Sequence, residues 1–195
     1  QIFKKGSFWM ILGLIFILAG LTLVLYNLYE EKRVEKYTQD IISQMKFNET
    51  NIVNDVNYVP DYIINPDIEM PVQIIDGNKY IGMLELTKLD LKLPIMSEWN
   101  YENLRKGPCR YEGSIYKDNM IIAAHNYRTN FAELNKLQYG DEIIFKDIDG
   151  NEFRYEVIEI ETLKDTDIDR MTAGDWDLTL FTCTYSGTAR VTVRC

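Results

Sequence analysis

Nineteen consecutive residues without a charge, Phe8 to Tyr26, constrain this chain more than any other stretch. At a helical rise of about 1.5 Å per residue they span roughly 28 Å, close to the thickness of a bilayer's hydrocarbon layer. The run ends in Tyr26, Asn27, Leu28 and Tyr29 rather than in the small-residue site of a cleaved signal peptide, so an uncleaved transmembrane anchor is expected. A core helix this apolar needs a large domain around it, and nothing else in the chain is large enough. Lys4 and Lys5 precede the run, whereas Glu30, Glu31, Lys32 and Arg33 cancel after it. That bias predicts a cytoplasmic N-terminus and an extracytoplasmic remainder.

Four segments are expected: a stub and anchor over 1–28, a helical stalk over 29–46, a linker that packs on the domain over 47–78, and a β domain over 79–195. Glu30 to Met45 is rich in helix formers, while Pro60, Pro66 and Pro71 discourage helix in the linker. The triplet Asn48, Glu49, Thr50 matches a glycosylation sequon, a match too common by chance to carry weight. Short alternating runs follow at Tyr80–Leu86, Leu89–Ile95, Tyr111–Tyr116, Met120–Ala124 and Glu142–Lys146, and Glu152–Glu161 follows the turn at Asp149, Gly150. Phe131, Leu134 and Leu137 have helical spacing within Thr129–Leu137, which predicts one short helix there. With 46% hydrophobic residues the chain can bury a core, and the pattern is all-β, a sandwich or barrel. The formal charge of −9, with Lys4 and Lys5 the only charges before Glu30, excludes a nucleic-acid partner because such a surface repels phosphate.

Chemistry concentrates near the C-terminus, in LTLFTCTYSGTARVTVR from Leu178 to Arg194. Two strands flank a turn at Tyr185, Ser186 and Gly187, with Cys183 at the rim. Alternation places Arg190, Thr192 and Arg194 on one face and Val191 and Val193 on the other. His125, the one histidine in the chain, closes the apolar strand MIIAAH. Each of these residues alone has a bland reading as core, surface or solvated charge. Together, a thiol that needs a proton partner and an oxyanion that needs a fixed donor match one Cys, one His and one Arg.

TLFTC at Thr179–Cys183, the arginine at Arg190 and the upstream AAH at Ala123–His125 resemble the sortases. GMLELTKLDLKLPI resembles their first strands and FAELNKLQYGDEIIF the stretch after their histidine, so the resemblance covers about Ile81 to Cys195. It implies a closed eight-stranded β-barrel with short helices and a cysteine transpeptidase of the Gram-positive cell surface. Cys183 would attack between Thr and Gly of an LPxTG-like sorting signal carried by a surface protein. An amine from a peptidoglycan precursor or a pilin lysine would resolve the thioester. His125 would shuttle the proton, Arg190 would hold substrate and oxyanion, and Thr182 would contribute a substrate hydrogen bond. Arg194 is expected to be structural. The loop from Lys164 to Asp175 looks too short for the added helix of class B enzymes.

No cofactor is expected, although Asp165, Asp167, Asp169 and Asp175 invite a calcium reading against the plainer one of a solvated loop. If the strands bearing His125 and Arg190 aim their catalytic ends at one site, their other ends approach, which makes a Cys109–Cys195 disulfide geometrically possible. A catalytically dead scaffold on the same barrel is the alternative function. The L,D-transpeptidases also use Cys, His and Arg, but their S-x-G-C motif is absent because Phe181 and Thr182 precede Cys183.

Overall fold

Where apolar and polar residues alternate, the computed structural model forms strands; it describes residues 2–48, 59–184 and 187–195, with the backbone alone for 2–5. They are β1 (Gln73–Ile75), β2 (Asn78–Leu86), β3 (Leu91–Met96), β4 (Cys109–Glu112), β5 (Met120–Ala124), β6 (Glu142–Asp147), β7 (Glu152–Glu156), β8 (Glu159–Lys164), β9 (Leu178–Cys183) and β10 (Ala189–Arg194). Their order across the sheet is β7-β6-β2-β3-β4-β5-β9-β10-β8, with β1 added beside β2. Two parallel pairs, β3 with β4 and β5 with β9, interrupt an otherwise antiparallel ladder.

The sheet is a curled half-barrel, not the closed eight-strand cycle that the resemblance implies. Its end strands β7 and β8 are successive segments of one chain, and among the described residues no ladder joins them. Val157 N–H still donates to Asp141 O at 3.0 Å, whereas Ile158 N–H donates to Arg194 O at 2.8 Å. The run Glu152–Glu161 therefore changes partner midway, leaving β6 for β10, and splits into two strands. At the opposite face of β2 the strand kinks at Gly82, where a Cβ would run into the carbonyl oxygen of Lys146 on β6.

One face of the sheet encloses the main core, including Leu84, Ile95, Ile122, Leu180 and Val193. Phe131, Leu134 and Leu137 enter it at the expected spacing, but Thr129–Leu137 is not an α-helix. Asn130 and Ala132 N–H both donate to Tyr127 O, and Phe131 N–H donates to His125 O. Those turns tie the segment to the end of β5 and leave one 3₁₀ turn at Leu134–Lys136. Likewise the strand expected to reach Tyr116 stops at Glu112: Gly113 has φ 75°, and the Ser114 hydroxyl then accepts from Tyr116 N–H to cap a 3₁₀ turn.

The linker is more structured than its composition suggests. Residues 49–58, which hold Glu49 and Thr50 of the sequon, lie outside the described residues, as do Tyr185 and Ser186 of the C-terminal turn. Helix α2 (Asp61–Ile64) follows, with Tyr62 stacked on Tyr116 at 4.7 Å. β1 then forms a hairpin with β2 through Asp76 and Gly77, both at positive φ, the backbone of a type I′ turn.

Helix α1 (Ile2–Gln44) is continuous through the apolar run and the stalk. One 18-residue window in it has a mean hydropathy of 2.6 and none of it is buried, so it is long and apolar enough to cross a membrane. Farther on, Val34, Thr38, Ile41 and Met45 are buried at i, i+4, i+7 and i+11, a stripe that packs the stalk on the outer face of the sheet. Ile41 and Met45 meet Ile75, Tyr80, Met96 and Ile148, and the Tyr37 hydroxyl lies 3.0 Å from that of Tyr80.

The cysteine bridge is not formed. Both thiols are free and buried in separate clusters, Cys109 under α1 with Met96 and Cys195 in the main core. Burial pushes each up to about 12, the nearby Asp177 adding to the shift at Cys195.

Candidate active site

Three neighbouring strands bring the expected residues to one place. β5 and β9 run parallel with Ala124 opposite Thr182, so His125 and Cys183 follow side by side at their C-terminal ends. Arg190 on β10 stands directly across from Cys183, at the separation where cross-strand side chains touch. All three line one cavity of about 290 Å³. Each is half-buried.

The floor of this cavity is Ala123 and Phe181, on the second face of β5 and β9, with Met171 beside them, and these cluster with Ile121 and Leu163. Its wall is aromatic. Ring centroids step from Tyr101 to Trp99 at 5.3 Å, to Tyr111 at 5.4 Å and to Phe181 at 5.3 Å, ending two residues before Cys183. Tyr101 belongs to α3 (Tyr101–Leu104), whose start is capped by the Asn100 side chain accepting from Asn103 N–H at 2.8 Å. The opposite rim is Lys164, Asp165, Asp167 and α4 (Ile168–Thr172). None of this wall is visible as a sequence motif, because Trp99 and Tyr101, Tyr111, and Phe181 come from three separate stretches of the chain. Among the described residues, no grouping of three or more His, Cys, Asp or Glu side chains has metal-site geometry.

Burial, and secondarily the charge of Arg105, hold the His125 imidazole below its ordinary range. Neutral imidazole is therefore favoured near neutral pH, ready to accept a proton. Tyr127 lies beside it, ring centroids 5.4 Å apart. Among the described residues the Arg190 guanidinium makes one long bond, 3.4 Å from Nη1 to Ala189 O, which leaves most of its donors unengaged by them.

Thr182 does not reach the cavity. Alternation turns it away from Cys183, it is 2% exposed, and its hydroxyl donates to Ala124 O at 2.8 Å. Its side chain is thus a clasp between β5 and β9 just below His125 and Cys183, a correction to the expected substrate contact. Arg194 is 1% exposed and fully engaged: it donates to Glu161 Oε1, Thr179 Oγ1, Met171 O and Arg170 O at 2.6–3.2 Å. Those bonds pin α4, and with it one rim of the cavity.

Residues 84–195 match the family model of the sortase domain. Sortase D of Bacillus subtilis is 30% identical over 115 residues, a match covering 55% of this chain and 58% of that relative's length. A Clostridium perfringens sortase D5 transpeptidase shares the fold with a TM-score of 0.56 at 24% identity, over 83% of this chain and 96% of its own. Sortase C from Clostridium perfringens SM101 aligns at 25% identity with a TM-score of 0.51, over 85% and 88%.

Proposed function

Because the chain belongs to the sortase family, we propose that it is a membrane-anchored cysteine transpeptidase acting on an LPxTG-like sorting signal. The observation that carries this reading is the convergence of Cys183, His125 and Arg190, from adjacent strands, on one aromatic-walled cavity. His125 accepts the thiol proton as Cys183 Sγ attacks the carbonyl between Thr and Gly. Arg190 donates to the oxygen on which charge develops. Collapse breaks the C–N bond, the His125 proton goes to the departing amine, and a thioester remains. An incoming amine, from a peptidoglycan precursor or a pilin lysine, gives its proton to His125 as it attacks; the new amide forms and the thiol is restored.

The aromatic wall and the apolar floor suit the Leu and Pro of such a signal, which bury their area against rings. Helix α1 anchors the domain outside the cytoplasm, with its N-terminus inside. A panel of fluorogenic LPxTG-type peptides tests the reading. Cleavage by the native chain and none by Cys183→Ala is expected; an intact peptide panel with a folded native chain favours a scaffold instead.

A further inference from the structure

The stalk fixes which way the domain faces. Glu31 lies five residues past Tyr26, about 7 Å beyond the apolar run and within the headgroup layer of a bilayer. Its Oε1 accepts from Arg128 N–H at 3.1 Å, in the turn that leaves His125. Arg33, Val34 and Tyr37, the next positions up the helix, share a pocket with Arg105 and Lys106 just after α3. Asn48, beyond the helix's far end, bonds Asp149 in the β6–β7 turn, and Gln44 already lies about 27 Å past Tyr26 along the helix. The register places the ends of β5, β3 and β6 at one end of the sheet, and the stalk crosses that end. Its β5 side, with His125, is therefore nearest the start of the stalk, and the β6–β7 turn is farthest from it.

That edge differs in charge from the rest of an acidic chain. Arg105 and Arg128 are exposed and pair with no carboxylate among the described residues. Of the acids close by, Glu30 pairs with Arg33 at 2.7 Å, Glu102 with Lys106 at 2.9 Å and Glu31 with the Arg128 backbone, while Asp76 lines the pocket that Arg105 shares with the stalk. Tyr101, 76% exposed and one helical turn before Arg105, and its neighbour Trp99 are amphipathic rings of the kind that settle at a membrane interface. A chain of net charge −9 is repelled by an anionic leaflet, and two unpaired arginines beside the anchor offset that repulsion locally.

We propose that this rim, Arg105 and Arg128 with Tyr101 and Trp99 beside them, is a lipid-contact surface that rests on anionic phospholipid headgroups of the membrane holding α1. The inference rests on reading α1 as a membrane anchor. It places the mouth of the Cys183 cavity at the leaflet surface rather than facing the wall. The test uses the full chain in nanodiscs containing phosphatidylglycerol, with a benzophenone amino acid replacing Tyr101, Leu18 or Asp149 in separate samples, and phospholipid adducts read by mass spectrometry. Adducts from Leu18 and Tyr101, and none from Asp149, are expected. Exchange to pure phosphatidylcholine, or Arg105→Glu with Arg128→Glu, lowers the Tyr101 yield by about fivefold or more. A Leu18 adduct without a Tyr101 adduct overturns the lipid-contact surface and leaves the anchor standing. An equal Tyr101 yield in both lipids overturns its anionic character. No adduct from Leu18 overturns the anchor and the surface together.

Discussion

Arg190 and Arg194 occupy the same face of the same strand, four residues apart, and do opposite things. Arg194 stands across from Thr179, is 1% exposed, and donates to four acceptor atoms including the Glu161 carboxylate. Arg190 stands across from Cys183, borders a cavity, and among the described residues has one long bond, to its own neighbour. A buried guanidinium is tolerated only when its donors are met, so Arg194 is spent on holding α4 and β8 against the β9–β10 ladder. A half-buried guanidinium with open donors beside a thiol is available for a ligand. One strand thus carries its structural arginine at one end and its candidate catalytic arginine at the other.

The sharpest way to break this contrast is Arg194→Ala, which leaves the Glu161 carboxylate without its fork and frees α4. A loss of about 3–5 kcal/mol in unfolding free energy is expected from denaturant titration; Glu161→Gln, which keeps the packing and removes only the charge, costs about 1.5–3 kcal/mol. Equal stability of both variants with the native chain would merge the two arginines into one class. Arg190→Lys acts on the other end: kcat/KM for a cleaved peptide falls by roughly 10²-fold or more with the melting temperature nearly unchanged, because a point charge replaces a planar fork. Near-native turnover by this variant removes the catalytic assignment. Smallest is Thr182→Val, which deletes the hydroxyl donated to Ala124 O at 2.8 Å. It costs about 1 kcal/mol of stability. A change confined to KM, with stability intact, would return Thr182 to the substrate.

The division between legible and hidden parts follows from how each is encoded. Local alternation located β2, β3, β5, β6 and the β9–β10 hairpin, because period two is imposed by a sheet with one face in the core. The same parity already turns Thr182 away from Cys183, so its burial follows from the pattern that found the strand. Glu152–Glu161 read as one strand because a change of partner at Val157–Ile158 leaves no mark in composition. The β1–β2 hairpin did have a signal, Asp76–Gly77 between apolar runs, hidden in a stretch dominated by Pro, Asn and Asp. Val34, Thr38, Ile41 and Met45 make a narrow stripe with a polar member, which charged neighbours obscured. The aromatic wall was out of reach, since Trp99 and Tyr101, at the start of α3, meet Tyr111 on β4 and Phe181 on β9 only once the sheet has assembled.

Trapping the acyl-enzyme tests the central claim most directly. The full chain is mixed with an LPxTG-type peptide library, quenched in acid and mapped by mass spectrometry after proteolysis. A thioester adduct on Cys183, with the mass of the signal cut after Thr, is the predicted result, and it should be absent from Cys183→Ala. Release of cleaved peptide without any adduct on Cys183, or an adduct mapped to Cys109 or Cys195, would contradict the account.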